Sequence, residues 1–476
     1  MQHAPRFART LALACLTVVG LLASPTLARP TPDVRFVQID GFAAPGTPAE
    51  MNKVGVLQIG RRSAVNVLIL NPGTSASAAY FAPLAKTIVQ RAKGWQVWAV
   101  ERRENLLEDH SVLNRAKQGM ADPKEVFDYY LGWLTDPTVT THFKLIPDAT
   151  VAYARDWGMN VEIQDLRAVV NLARKRARRI VIGGHSLGGS ITTAYATWDF
   201  DGEPGAKGLS GLVFIDGGSG PTPVSADSAS GALLALQNGS PWLSFGGIPA
   251  PYAGLFNSTG SLGVLLDPDS PSLGQAFSLL PADLKPPVPA TNVGQYGYAL
   301  DVKTSPPGLI AAQAHLGQLA STPDASGHFG WDSTGALTPI TRYADMFSGY
   351  SLAHDDGLLS LDGTAWYHPL RLTIDSGAVA AGNANPAQAV LDVHATHGHD
   401  LSPRLRICAF GAALGGQRVL TATQLLASQS NIPADHLTLV DRHETYAHND
   451  PSGASPQNDF LDELIPFLAQ VKRGRR

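Results

Sequence analysis

Ile180-Val181-Ile182-Gly183-Gly184-His185-Ser186-Leu187-Gly188-Gly189-Ser190 decides how the rest of the chain reads. A β-branched run ends in glycines, a serine follows, and Ile191-Thr192-Thr193-Ala194-Tyr195-Ala196 continues as a helix. Gly184-His185-Ser186-Leu187-Gly188 fits G-x-S-x-G, a pattern in which a strand turns sharply into a helix and leaves the serine on the turn. The pattern alone is weak in a glycine-rich chain; the strand before it and the helix after it give it weight. Glycines two residues either side of the serine are expected because side chains there would collide with neighbouring backbone. The helix starts beside Ser186, so the Leu187 N–H faces any negative charge that forms there.

Upstream, residues 34–40 and 54–59 read as a first pair of strands, and residues 64–70 as a buried strand running into Asn71-Pro72-Gly73-Thr74. A helix with Phe81, Leu84, Ile88 and Ala92 on one face follows, then a strand over 96–100. Residues 105–160 form a long aromatic excursion, and a helix over 161–177 leads into the serine strand. Downstream, residues 211–215 form a strand ending in Asp216, residues 406–410 resume the sheet, and residues 437–440 form the last strand. Ser455-Pro456 reads as the start of a final helix. Alternating strands and helices imply an α/β fold with a mostly parallel sheet flanked by helices and active loops at its C-terminal edge. Between the sixth and seventh strands, residues 219–402 are rich in Pro, Gly, Ser and Ala, and no charged side chain occurs between Asp227 and Asp267. Their tryptophans, tyrosines and phenylalanines supply too much apolar mass for a free linker, so this stretch reads as an inserted lid or cap.

The 476 residues, 44% hydrophobic and 16% charged, suit one large domain with an insertion. A net charge of −4 argues against nucleic-acid binding, and the two dense basic runs, residues 174–179 and 472–476, read as solvated surface. Arg6 and Arg9 precede an apolar run over 11–22, and Thr26-Leu27-Ala28 offers small residues for cleavage. The expectation is a signal peptide over 1–28, a secreted or periplasmic mature chain, and no transmembrane span, because the run is too short. Cys15 would be lost with the leader, leaving Cys408 alone and no disulfide.

These features together resemble the α/β-hydrolase superfamily, serine esterases and lipases among them. The resemblance covers about residues 64–219 and 403–476, and rests on the Asn71-Pro72-Gly73-Thr74 loop, the Ser186 nucleophile elbow, the Asp216 strand end and the loop holding His448. It implies an α/β-hydrolase core over 29–218 and 403–476 with a cap over 219–402. It also implies a catalytic triad of Ser186, His448 and Asp216. A serine hydroxyl needs a base and a group to orient that base. His448 lies in the loop after the last strand, where the family keeps its histidine; His443, closer to the strand end, is the rival. The family's acid usually follows the seventh strand, but Gly411-Ala412-Ala413-Leu414-Gly415-Gly416-Gln417 stands there and offers no carboxylate. Some members place the acid after the sixth strand, where Asp216 stands; Asp441 and Glu444 are rivals. The oxyanion hole would combine the amides of Thr74 and Leu187.

The implied activity is that of an exported serine hydrolase acting on a small-molecule or lipid-like ester, uncharged or lipophilic, through an acyl-enzyme, with no cofactor. The charge-free stretch and the aromatic excursion suggest a dry acyl pocket. An acyltransferase, lactonase or peptidase would use the same serine, and a binding protein on a hydrolase fold would lack the chemistry altogether. His394, His397 and His399 with Asp392 and Asp400 match no standard metal motif and read as a solvated loop, so no metal is assigned. Asn-x-Ser/Thr sequences occur at Asn238 and Asn257.

Overall fold

The serine strand lies inside an eight-stranded sheet. Its strands are β1 (Val34–Asp40), β2 (Lys53–Ile59), β3 (Asn66–Asn71), β4 (Trp95–Glu101), β5 (Arg179–His185), β6 (Gly211–Ile215), β7 (Arg406–Gly411) and β8 (Leu437–Asp441). Their order across the sheet is β1-β2-β4-β3-β5-β6-β7-β8. Only β2 opposes its neighbours; β4, β3, β5, β6, β7 and β8 run parallel. The coordinates are a computed structural model that describes Met1, residues 33–245 and residues 248–473, so the expected leader over 1–28 lies outside the described residues except for Met1. The elements below all belong to one unit, Pro32–Arg476. This is the α/β-hydrolase fold, with a large segment inserted after the sixth strand.

Period-two alternation along the strands fills two cores. Leu57, Leu68, Leu70, Val97, Val181 and Phe410 face one side, against α1 (Ala82–Arg91) and a C-terminal helix. Val56, Val67, Ile69, Trp98, Ile182 and Leu212 face the other side, against α2 (Met159–Arg174) and α3 (Leu187–Thr197). The insertion after β6 carries α4 (Tyr252–Leu266) and α5 (Asn292–Leu300) among other helices. Beyond β7, α6 (Gly416–Gln429) packs Val419 and Leu426 into the second core. The C-terminal helix is α7 (Asp459–Arg473). It starts four residues later than Ser455-Pro456 suggests, because Asn458 caps it: the side-chain oxygen accepts from Leu461 N at 3.0 Å.

The excursion and the insertion bury each other. Val126, Tyr130, Phe143 and Trp157 from residues 105–160 share a third core with Trp242, Leu255, Leu262, Phe277, Trp366 and Tyr367. The shared core is where much of their aromatic mass goes. No helix among the described residues is long and apolar enough to cross a membrane.

Candidate active site

Because β3, β5, β6 and β8 run parallel, the segments that follow them leave the sheet at one edge. Those segments carry Thr74, Ser186, Asp216 and His448 respectively. Ser186 sits at φ 57° and ψ −125°, a conformation L side chains rarely adopt, and its N–H donates to Ile215 O at 3.0 Å. The motif glycines make the turn possible. A Cβ at Gly184 would lie 2.2 Å from the Gly188 carbonyl, and one at Gly188 would lie 2.0 Å from Asn71 O. Ser186 is half-buried, and its hydroxyl makes no hydrogen bond among the described residues.

His448 and Asp216 are brought together, 232 residues apart in the chain. His448 Nδ1 donates to Asp216 Oδ2 at 2.6 Å, with both side chains buried. The loop after β7 surrounds the same carboxylate with backbone amides. Oδ1 accepts from Ala412 N at 2.7 Å, Gly415 N at 2.9 Å and Gly416 N at 3.2 Å, and Oδ2 accepts from Leu414 N at 3.2 Å. The glycine-rich stretch that lacks a carboxylate is therefore a cradle for one supplied by β6. Gly415 has to be glycine, since a Cβ there would meet Asp216 Oδ1 at 2.7 Å. Burial works against charge on Asp216, but the His448 hydrogen bond and the Ala412 amide outweigh it and hold the carboxyl below its usual range.

The rivals lie elsewhere. His443 Nδ1 pairs with Asp441 Oδ1 at 2.6 Å outside this cluster, and Glu444 is exposed. His394 pairs with Asp392 at 2.9 Å, and His397 lies between Asp400 at 2.8 Å and Asp199 at 3.4 Å. Asn238 is exposed at a helix end, whereas Asn257 accepts from Tyr296 Oη at 2.6 Å and lines an internal cavity.

Thr74 and Leu187 N–H have no protein partner among the described residues. Gly73 packs on Ser186, where a Cβ would come within 2.9 Å of the serine Cβ. The loop holding Gly73 and Thr74 is pinned by a side chain that sequence reasoning missed. Buried Arg102 donates to Pro72 O and Gly73 O, both at 3.0 Å, and to Ala76 O at 2.9 Å, while its Nε pairs with Glu104 at 2.7 Å. Its signal in the sequence was the charged triplet Glu101-Arg102-Arg103 at the end of a buried strand. The histidine loop is held in a similar way. His185 Nε2 donates to His448 O at 2.9 Å, Tyr80 Oη to Asn449 Oδ1 at 2.9 Å, and Thr338 Oγ1 to Asp450 Oδ1 at 2.7 Å. Burial and the neighbouring His448 push His185 down to about 3, so its ring stays neutral.

A cavity of about 260 Å³ starts at Thr74 and Ser75 and extends into the insertion. Phe127, Phe245, Phe256, Leu280, Leu309 and Phe347 are among its walls, with Asn257, Asn292 and Gln295 as polar points and, among the described residues, no Asp, Glu, Lys, Arg or His.

No protein-family model matches the sequence, and no curated protein does. Solved structures align over nearly the whole chain at low identity. A candidate lipase from Sulfolobus solfataricus aligns at TM-score 0.47 and 13% identity, over 94% of this chain and 95% of that one. Epoxide Hydrolase A from Mycobacterium thermoresistibile aligns at TM-score 0.40 and 12% identity, over 92% and 98%. A monoglyceride lipase from Saccharomyces cerevisiae aligns at TM-score 0.35 and 12% identity, over 94% and 96%.

Proposed function

We propose that this protein is an exported serine hydrolase that cleaves an uncharged, lipophilic carboxylic ester through an acyl-enzyme. The observation that carries the reading is the buried His448–Asp216 hydrogen bond at the sheet edge where the strained Ser186 turn also sits. In this reading Ser186 Oγ attacks the ester carbonyl carbon while His448 Nε2 takes its proton. The same nitrogen returns the proton to the leaving alkoxide, and water repeats the sequence on the acyl-enzyme. Asp216 holds His448 Nδ1–H, fixing the tautomer that leaves Nε2 free to act as base. The Thr74 and Leu187 amides receive the oxyanion. The serine–imidazole contact closes in the substrate complex, as such contacts do in many hydrolases. The cavity beyond Thr74, free of ionisable groups other than the Tyr296 phenol, favours an apolar acyl chain over a charged one.

Labelling with a fluorophosphonate probe and turnover of p-nitrophenyl esters test the reading. Wild-type protein is expected to label and turn over, and Ser186→Ala to do neither while keeping its circular dichroism. Wild-type protein that stays unlabelled would leave a binding protein on this fold.

A further inference from the structure

Away from the serine lies a second group of polar side chains, in which Glu108 Oε1 accepts from Trp366 N at 2.6 Å and Asp362 Oδ2 from Ser258 Oγ and Thr364 Oγ1, both at 3.2 Å, while Glu108 Oε2 and His110 Nε2 have no partner among the described residues. Glu108 and His110 follow β4, and Asp362 belongs to the insertion. One ligand atom from each lies within 4.8 Å of the other two. His110 Nε2 is 3.0 Å from Glu108 Oε2 and 3.7 Å from Asp362 Oδ2, with the three side chains 10%, 0% and 2% exposed. At 3.0 Å a hydrogen bond is within reach, yet Glu108 Oε2 and His110 Nε2 are both buried without one; their alignment misses hydrogen-bond geometry. Atoms placed so near without facing each other suit a common third partner. The two separations from His110 Nε2 suit it too, since Zn–N and Zn–O bonds of about 2.0–2.1 Å in a tetrahedron set ligands about 3.3 Å apart.

An independent observation points the same way. Glu108 and His110 line a cavity of about 370 Å³ with Glu101, Asn105 and Asn114. Asn105 Oδ1 and Asn114 Oδ1 are also buried without a hydrogen bond. Every one of these orphaned atoms is an acceptor, or becomes one when the imidazole is neutral. The nearby cations are committed: Arg102 to Glu104, Lys53 to Asp40, and Lys117 to Leu361 O and Leu359 O.

We propose that Glu108, His110 and Asp362 form a site for one divalent metal ion of the zinc class, held through His110 Nε2 and one oxygen from each carboxylate. Imidazole with two carboxylates is a borderline donor set that suits zinc better than magnesium or calcium. The ion would tie the segment after β4 to the insertion where the insertion braces the loop after β3. Asp362 O accepts from Ser77 Oγ, Gly363 O from Ser77 N at 3.1 Å, and Ser75 O from Ala365 N at 2.9 Å. The rival arrangement is metal-free. Burial opposes charge on His110, but Asp362 and Glu108 outweigh it and raise the imidazole to about 10, giving an imidazolium between two carboxylates.

Calorimetric titration of EDTA-treated full-length protein with Zn²⁺ separates the two, with Co²⁺ absorption as a second readout; neither uses ester turnover. The expected result is one Zn²⁺ per chain, a tetrahedral Co²⁺ spectrum, and a higher Tm for the zinc-loaded wild type. His110→Ala should weaken binding by more than about 100-fold, beyond the loss of an outer-shell partner. Glu108→Gln is the second variant should His110→Ala fail to fold, and His397→Ala controls for the surface histidines. Wild-type protein with no stoichiometric Zn²⁺ site, or His110→Ala binding as tightly as wild type, overturns the proposal in favour of the imidazolium.

Discussion

Asp216→Asn is the sharpest perturbation of the proposed triad, because it changes one atom in a cradle whose contacts are known. The carboxylate accepts five hydrogen bonds: three at Oδ1 from Ala412, Gly415 and Gly416, and two at Oδ2 from Leu414 and His448. An asparagine oriented with its oxygen at the Oδ1 position keeps the three amides and presents NH₂ to Leu414 N–H and His448 Nδ1. Donor then meets donor. The half-buried Leu414 amide loses its acceptor, at a stability cost toward the lower end of about 1–3 kcal/mol. The imidazole is driven to the tautomer with its proton on Nε2, which cannot serve as base. That error is worth roughly 10⁴ in kcat where a serine–histidine–aspartate site suffers it, or about 5.4 kcal/mol of barrier. Steady-state hydrolysis of p-nitrophenyl butyrate, with urea unfolding on the same samples, measures both effects. Asp441→Asn and Glu444→Gln, at exposed positions, should leave turnover unchanged. A folded Asp216→Asn protein retaining kcat within tenfold of wild type would refute the orienting role and leave the 2.6 Å contact as a structural one.

Arg102→Lys should cut kcat by roughly an order of magnitude or more, with KM moving less, because one ammonium cannot hold three loop carbonyls and Glu104 together; a double-mutant cycle with Glu104→Gln checks the coupling. Leu309→Trp, placed on the cavity wall, should lower kcat/KM for a dodecanoyl ester by at least about tenfold relative to a butanoyl ester, a loss of the size pocket contacts carry. His185 supplies a pH test. Its folded pKa of about 3 lies below the usual histidine value, so between those two pH values the unfolded chain binds a proton that the native state refuses. Stability therefore rises with pH through that window, by at most about 1.4 kcal/mol per unit from this group. His185→Gln, read by urea unfolding at pH 5 and pH 7, should flatten that part of the slope.

What the sequence disclosed follows physical distance along the chain. The Ser186 turn is local: strand, glycines and helix lie within twenty residues, and φ 57° at the serine is what those glycines permit. The strand series was also legible, since buried parallel strands read as short β-branched runs. Asp216 is the acid the sequence offers because no carboxylate follows β7, but the reason for that gap is not readable in it. Five residues, Ala412 to Gly416, turn three amides onto one oxygen, and nothing in Ala-Ala-Leu-Gly-Gly announces that. Arg102 read as the polar end of a strand, and only the fold shows it buried beneath the Gly73 loop. The insertion was the least legible part. Its helices are short, and α4 carries Gly254, Gly260 and Gly263, which blur any apolar face. Those glycines let other elements approach: a Cβ at Gly254 or Gly260 would come within 2.8 Å of Trp366 or Tyr296.

The insertion is therefore part of the site's frame, and its dependence on the core runs in both directions. The loop after β3 is held from below by Arg102 and from above by Gly363 and Ala365. The histidine loop is held by His185 from β5 and, through Asp450, by Thr338 and His315 of the insertion. Each loop is thus anchored both by the core around the sheet and by the insertion. A change that loosens the insertion should move the oxyanion amides and the base together, whereas a change confined to the cavity wall should alter chain-length preference alone. That difference separates positioning from substrate fit in a part of the chain where sequence pattern distinguishes neither.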